Sequence, residues 1–131
     1  MTGLDTNVIV RYIVQDDVAQ ASKATALIES LTEENPGFLS MVAVVELVWV
    51  IQGCYDASKD ETVAILDQLL RHKTLRLENV EVVTKALRSY TGSNADFADC
   101  LIERSGNHAH CVQTVTFDSK AAKTAGMQLV R

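Results

Sequence analysis

Proline occurs once in this 131-residue chain, cysteine three times, and basic residues are outnumbered by acidic ones, twelve to seventeen. Each shortage excludes something. With one proline, 47% hydrophobic and 22% charged residues, the sequence is not that of a disordered or low-complexity segment, and a compact fold is expected. Cys54, Cys100 and Cys111 are odd in number and widely spaced. They make neither a disulfide framework nor a paired zinc motif, so reduced thiols packed in the interior are expected. A long apolar run is missing too. The longest, from Phe38 to Ile51, is interrupted by Ser40 and Glu46 and falls short of the about 20 residues that a bilayer requires. No membrane span is expected. The opening MTGLDTN has no basic n-region, so no secretory signal is expected and the cytoplasm is the expected compartment. The net charge of −5 disfavours contact with a polyanion unless metal ions or a local patch supply positive charge.

What is present is a regular alternation of patterns within a length suited to one domain, 1–131. A short apolar strand at Gly3–Asp5 leads into a helix over Asn7–Val14, then an amphipathic helix over Val18–Leu31. Pro36-Gly37 breaks the chain before an extended piece at Phe38 and Leu39. Ser40 is placed to cap a helix running to about Gly53. Ser58 with Glu61 forms a capping box ahead of another helix. Leu75, Leu77 and Val80 alternate like a strand, and helical spacing returns at Val82–Tyr90. Asp96 opens a helix carrying Phe97, Leu101 and Ile102. Val112–Phe117 is β-branched and predicts a strand, with Asp118 just beyond it; a short helix and a final extended piece at Met127–Val130 follow. Strands alternating with helices imply an α/β fold with a parallel sheet covered on both faces. Ligands of such sheets bind beyond the carboxyl ends of the strands.

Most of the acidic residues fall on solvated faces or caps, but several do not. Glu46 stands alone in MVAVVELVWVI, a helix that reads as apolar on every side, where an isolated buried carboxylate is costly unless paired or metal-bound. A salt bridge to Arg11 is the alternative. Asp5 and Asp118 both end strands and so project at one sheet edge, although each could simply cap the helix that follows. Asp96, Asp99 and Glu103 lie on nearly one side of a helix, where like charges repel. Convergence of such groups would raise their pKa values unless a cation sat between them. Oxygen donors in that number suit Mg²⁺ or Mn²⁺, which can activate water and neutralise charge developing on a phosphodiester. The residues alone therefore point to a metal-dependent hydrolase of phosphate esters.

The segments LDTNVIVRYIVQDD, the apolar helix holding Glu46, ADFADCLI and TFDSKAA, in that order, resemble the PIN-domain family and, within it, the VapC-type toxin ribonucleases. The likeness covers nearly the whole chain. It implies a three-layer sandwich, with a parallel sheet of about five strands between helices, and an acidic pocket for Mg²⁺, or Mn²⁺ in its place. Asp5, Glu46 and Asp99 then resemble the principal catalytic and metal-binding acids, Asp118 completes the cluster, and Asp96 is a supporting ligand. Thr6 and Thr116 become candidate hydroxyl partners, and Arg11 a candidate for substrate phosphate. The implied activity is endoribonucleolytic, with RNA as substrate, a homodimer as the assembly and a small antitoxin protein as partner. The family often carries more basic residues around its pocket; here Arg104, Lys120, Lys123 and Arg131 are the contributors.

Other readings fit less well. A PIN-fold housekeeping nuclease that processes RNA shares every motif. A haloacid-dehalogenase-like magnesium phosphatase needs a second Asp two residues after the first, where this chain has Asn7. A receiver-like module wants an Asp at the end of its third strand, and neither Asp56 nor Asp60 follows one. The cluster His108, His110 and Cys111 offers three ligands with no second pair, short of a zinc site, and reads as a polar turn.

Overall fold

The computed structural model describes all residues, Met1–Arg131. They group into two compact units, Met1–Glu78 and Asn79–Arg131.

The first unit runs β1 (Thr2–Gly3), α1 (Thr6–Val14), α2 (Val18–Ser30), β2 (Gly37–Leu39), α3 (Met41–Tyr55), α4 (Lys59–Arg71) and β3 (Leu75–Leu77). The strands form one parallel sheet in the order β1-β2-β3, with Thr2 opposite Gly37 and Phe38 opposite Arg76. Side-chain caps start the helices where the sequence puts them. The Ser40 hydroxyl accepts from the Ala43 N–H at 3.1 Å, and Ser58 and Glu61 close the reciprocal capping box. Glu78 adds a second cap to α3 by accepting from the Met41 N–H at 2.9 Å. The interior is built from Leu4, Ile9, Ile28, Leu39, Leu47, Ile51 and Leu66, all buried.

The second unit runs α5 (Val80–Thr91), α6 (Phe97–His108), β4 (Val115–Thr116), α7 (Ser119–Thr124) and β5 (Gln128–Leu129). β4 and β5 pair in parallel, Val115 opposite Gln128. α5 and α6 pack through Val83, Ala86, Leu87, Phe97 and Leu101, and Tyr90 meets Phe97 edge-on at 5.8 Å between ring centres.

The expected α/β class, five strands and wholly parallel pairing are all present, divided between a three-stranded and a two-stranded sheet. The strand expected over Val112–Phe117 shrinks to two residues. Val112 and Phe117 are fully or nearly fully exposed, so the β-branched run has no neighbour to pair with beyond β5. Val80, expected to extend a strand, instead opens α5 behind Asn79, whose φ of 49° turns the chain. Among the cysteines only Cys100 is buried; Cys54 and Cys111 face solvent, contrary to expectation, because each lies at or just beyond a helix end.

Gly37 sits in the middle of the three-stranded sheet because no side chain fits there. A Cβ at this position would lie 2.8 Å from Leu4 Cδ1, 2.9 Å from Leu31 Cδ1 and 3.0 Å from Leu75 Cδ2. Gly37→Ala is therefore expected to lower stability by about 1–3 kcal/mol. Urea unfolding checks this as a lower midpoint with an unchanged slope.

Candidate active site

In the first unit, Asp5 follows β1 and begins α1. Its Oδ1 accepts from the Thr6 N–H at 2.8 Å, leaving Oδ2 free of the cap. Thr6 is buried, and its hydroxyl donates to Glu46 Oε1 at 2.9 Å, joining the start of α1 to the middle of α3. Asp5, Thr6, Asn7, Arg11, Glu46 and Tyr55 line a common cavity of about 420 Å³. Two carboxylates and a hydroxyl thus share one opening.

Glu46 differs from expectation in one respect: it is exposed, not buried. α3 hides Ala43, Val44, Leu47, Val48 and Ile51 and turns Val42, Glu46, Trp49 and Gly53 outward, so its apolar sequence masks two distinct faces. Trp49, on the same outward face, is 63% exposed. The alternative salt bridge between Glu46 and Arg11 does not form. Arg11 instead pairs with Asp16 at 3.0 Å, donates to Gln20 at 2.8 Å and to the Tyr55 hydroxyl at 3.2 Å. That hydroxyl in turn donates to Asp16 at 3.0 Å. The Tyr55 hydrogen bond, ahead of the charge of Asp16, raises the Arg11 pKa, and the bond from Tyr55 likewise lowers that of Asp16. Arg11 therefore remains a cation at one side of the cavity, held by Asp16, Gln20 and Tyr55. The spacing of Glu46, Val50 and Cys54, four residues apart on α3 and all lining the cavity, was the signal for this wall.

In the second unit, Asp96 is the N-cap residue of α6 and Asp99 lies in its first turn. Asp96 makes no capping bond with its side chain and pairs instead with Lys120 Nζ at 3.6 Å. Asp118 follows β4 and caps α7, accepting from the Lys120 N–H at 2.9 Å, while its own N–H donates to Thr116 Oγ1 at 3.0 Å. Thr116 thus fixes the turn that carries Asp118. The Asp99 carboxyl is pushed above its ordinary range, first by burial, then by the charges of Asp96 and Asp118, with Lys120 opposing. Asp99 therefore stands close enough to Asp96 and Asp118 to be repelled by both. Glu103, expected on the same acidic face, is neutralised by Arg104, whose Nη2 lies 3.0 Å from Glu103 Oε2.

No three His, Cys, Asp or Glu side chains form a ready-made coordination sphere. Mg²⁺ does not require one, since it keeps several waters and takes only one or two carboxylates. The donor sets present, Asp5 with Glu46 and Asp99 with Asp96 and Asp118, are hard oxygens of the right kind, and the repulsion felt by Asp99 is what a bound cation relieves.

Among known proteins, the model of one family, described as PIN domain, matches residues 4–127. No curated protein and no solved structure matches the chain.

Because the folded state raises the Asp99 pKa, ionising this carboxyl costs stability at neutral pH; that cost vanishes below the pKa of the unfolded chain, where the group is protonated in both states. In EDTA, Asp99→Asn is therefore expected to melt above the parent at pH 7, with the difference fading below about pH 4. Thermal melts across pH check both the sign and the fading.

Proposed function

Since this chain belongs to the PIN-domain family and is thereby a nuclease of the PIN superfamily, we propose that it is a metal-dependent endoribonuclease of the VapC toxin type. One observation carries the proposal: Thr6 ties Glu46 to the Asp5 turn, so two carboxylates face one cavity with no basic group bonded to either. A structural acid would be expected to hold a cation of the protein's own; these leave that place to a ligand.

In this reading the catalytic carboxylates are Asp5, Glu46, Asp99 and Asp118, which also hold the metal, with Asp96 as a supporting ligand. A bound Mg²⁺, or Mn²⁺ in its place, supplies a water of lowered pKa and neutralises charge on the phosphodiester. The protein's own contributions are orientation and charge. The Thr6 hydroxyl directs one oxygen of Glu46 and leaves the other for ligation. The Asp5 and Asp118 caps fix each carboxylate by one oxygen against backbone, which limits the entropy lost on binding. Thr116 holds the Asp118 turn, and Arg11, kept protonated by Tyr55 and Asp16, offers a cation to a substrate phosphate beside the acids.

The proposal extends to one functional domain over 1–131, a homodimer, a small antitoxin as inhibitor and a cytoplasmic setting. No helix is long and apolar enough to cross a membrane.

Incubation of the purified protein with mixed cellular RNA is expected to yield internal cleavage with Mg²⁺ and none in EDTA. Asp5→Asn and Glu46→Gln are expected to lose activity by more than about 100-fold. Glu46→Gln should still melt close to the parent, because the exposed amide oxygen can accept from Thr6 as before. Equal cleavage with and without chelator would reject the reading.

A further inference from the structure

The charge of this chain is unevenly distributed. Residues 1–78 carry six Lys and Arg against twelve Asp and Glu, whereas residues 79–131 carry six against five. The net acidity therefore belongs to the first unit. Within the second, Lys85 and Arg88 of α5 and Arg104 of α6 open onto one cavity of about 740 Å³, which Ser93 and Thr124 line with hydroxyls and Glu103 with a carboxylate. That volume lies in the range of ligand-binding clefts, roughly 300–1,000 Å³.

The cations differ in how far they are committed. Arg104 is held by Glu103 through both carboxylate oxygens, which keeps it protonated and fixes its guanidinium at the wall. Lys85 reaches Glu81 at 3.2 Å across one helical turn, with both groups well exposed. Such a pair contributes about 0–1 kcal/mol and is readily exchanged for another anion. Arg88 is exposed and has no ion pair or side-chain hydrogen bond. A free guanidinium and an exchangeable ammonium around an open cleft match phosphate oxygens, which Arg binds by two parallel N–H bonds.

The cavity is not the carboxylate site under another name. β4 and β5 are parallel; Asp118 follows β4, whereas Thr124 and Gly126 precede β5, so the acid and this wall stand at opposite edges of their sheet. α6 connects them. Asp99 lies in its first turn and Arg104 five residues on, a rise of about 7 Å. A strand of a few nucleotides is long enough to touch both.

We propose that the Lys85–Arg88–Arg104 cavity is a docking site for the phosphate backbone of single-stranded RNA, supplying affinity that the acidic first unit cannot. This rests on the reading of the chain as an RNA nuclease. The occupant is a strand and not a free nucleotide because the cleft is open and its donors are spread along two helices instead of converging on one phosphate.

The test measures binding apart from cleavage. Fluorescence anisotropy of a labelled single-stranded RNA is followed in EDTA, over a range of salt, with the full chain. Lys85→Ala with Arg88→Ala is expected to raise Kd about tenfold and to lessen the slope of log affinity against log salt by about 1.4, two phosphate contacts on a single strand. Lys85→Arg with Arg88→Lys, which keeps both charges, should retain most of the binding. Lys73→Ala, an exposed lysine of the first unit, should change neither quantity. An unchanged Kd and slope in the double alanine variant would overturn the inference, as would an equal loss with Lys73→Ala. Binding lost on schedule by a protein that cleaves no RNA would retain the docking site and defeat the nuclease reading; intact cleavage with unaltered binding would do the reverse.

Discussion

Carboxylates without basic partners can be kept in a fold only where something positive faces them, and in this chain much of that charge comes from the backbone. Asp5 begins α1 and Asp118 begins α7, each bonded to a backbone N–H, and Asp99 lies in the first turn of α6, whereas Asp96 at the start of α6 has Lys120 as partner. Helix starts expose unbonded N–H groups and the positive end of the helix dipole, worth typically 0.3–1 kcal/mol to a nearby anion. The device satisfies two demands together. At Asp5 and Asp118 it stabilises an acid left free for a ligand, and it ends a strand and starts a helix at the sheet edge. Glu46 is the exception, projecting from the middle of α3, and it has a side-chain donor, Thr6, in place of a helix start. Asp5 and Asp118 are thus held by caps on the local backbone, and Glu46 by a bond spanning forty residues of sequence.

That division explains what could be read in advance. Capping is local chemistry, so Ser40, the Ser58–Glu61 box and the positions of Asp5 and Asp118 were legible from neighbouring residues, and the structure has each where the pattern indicates. The alternation of strands and helices likewise conveyed the parallel α/β class. For Glu46 the sequence argument fails: apolar neighbours imply burial, yet the residue is exposed. Exposure depends on which face of α3 is covered, and a helix bearing valine and tryptophan on its open side cannot be distinguished by composition from one enclosed all round. The Arg11–Tyr55–Asp16 network was hidden because Tyr55, which joins Arg11 to Asp16, comes from a stretch of chain about forty residues away.

Net charge proved a poor guide when taken over the whole molecule. An overall −5 argued against a polyanionic ligand, yet half of the basic residues lie in the last 53 positions, where they slightly outnumber the acids. Lys85 and Arg88, three residues apart on α5, carry no signal of their own in the sequence, because basic residues on a solvated helix face are the ordinary case. Charge acts over roughly a Debye length, about 8 Å at physiological salt, so its local arrangement decides what approaches each surface.

The strands are only two or three residues long. Few ladder bonds protect their amides, so slow hydrogen exchange will concentrate in α3, α4 and α5, while the sheet rims breathe at small cost. Asp5 and Asp118 stand on those rims. Each cap therefore sits on backbone that yields more readily than the helices behind it.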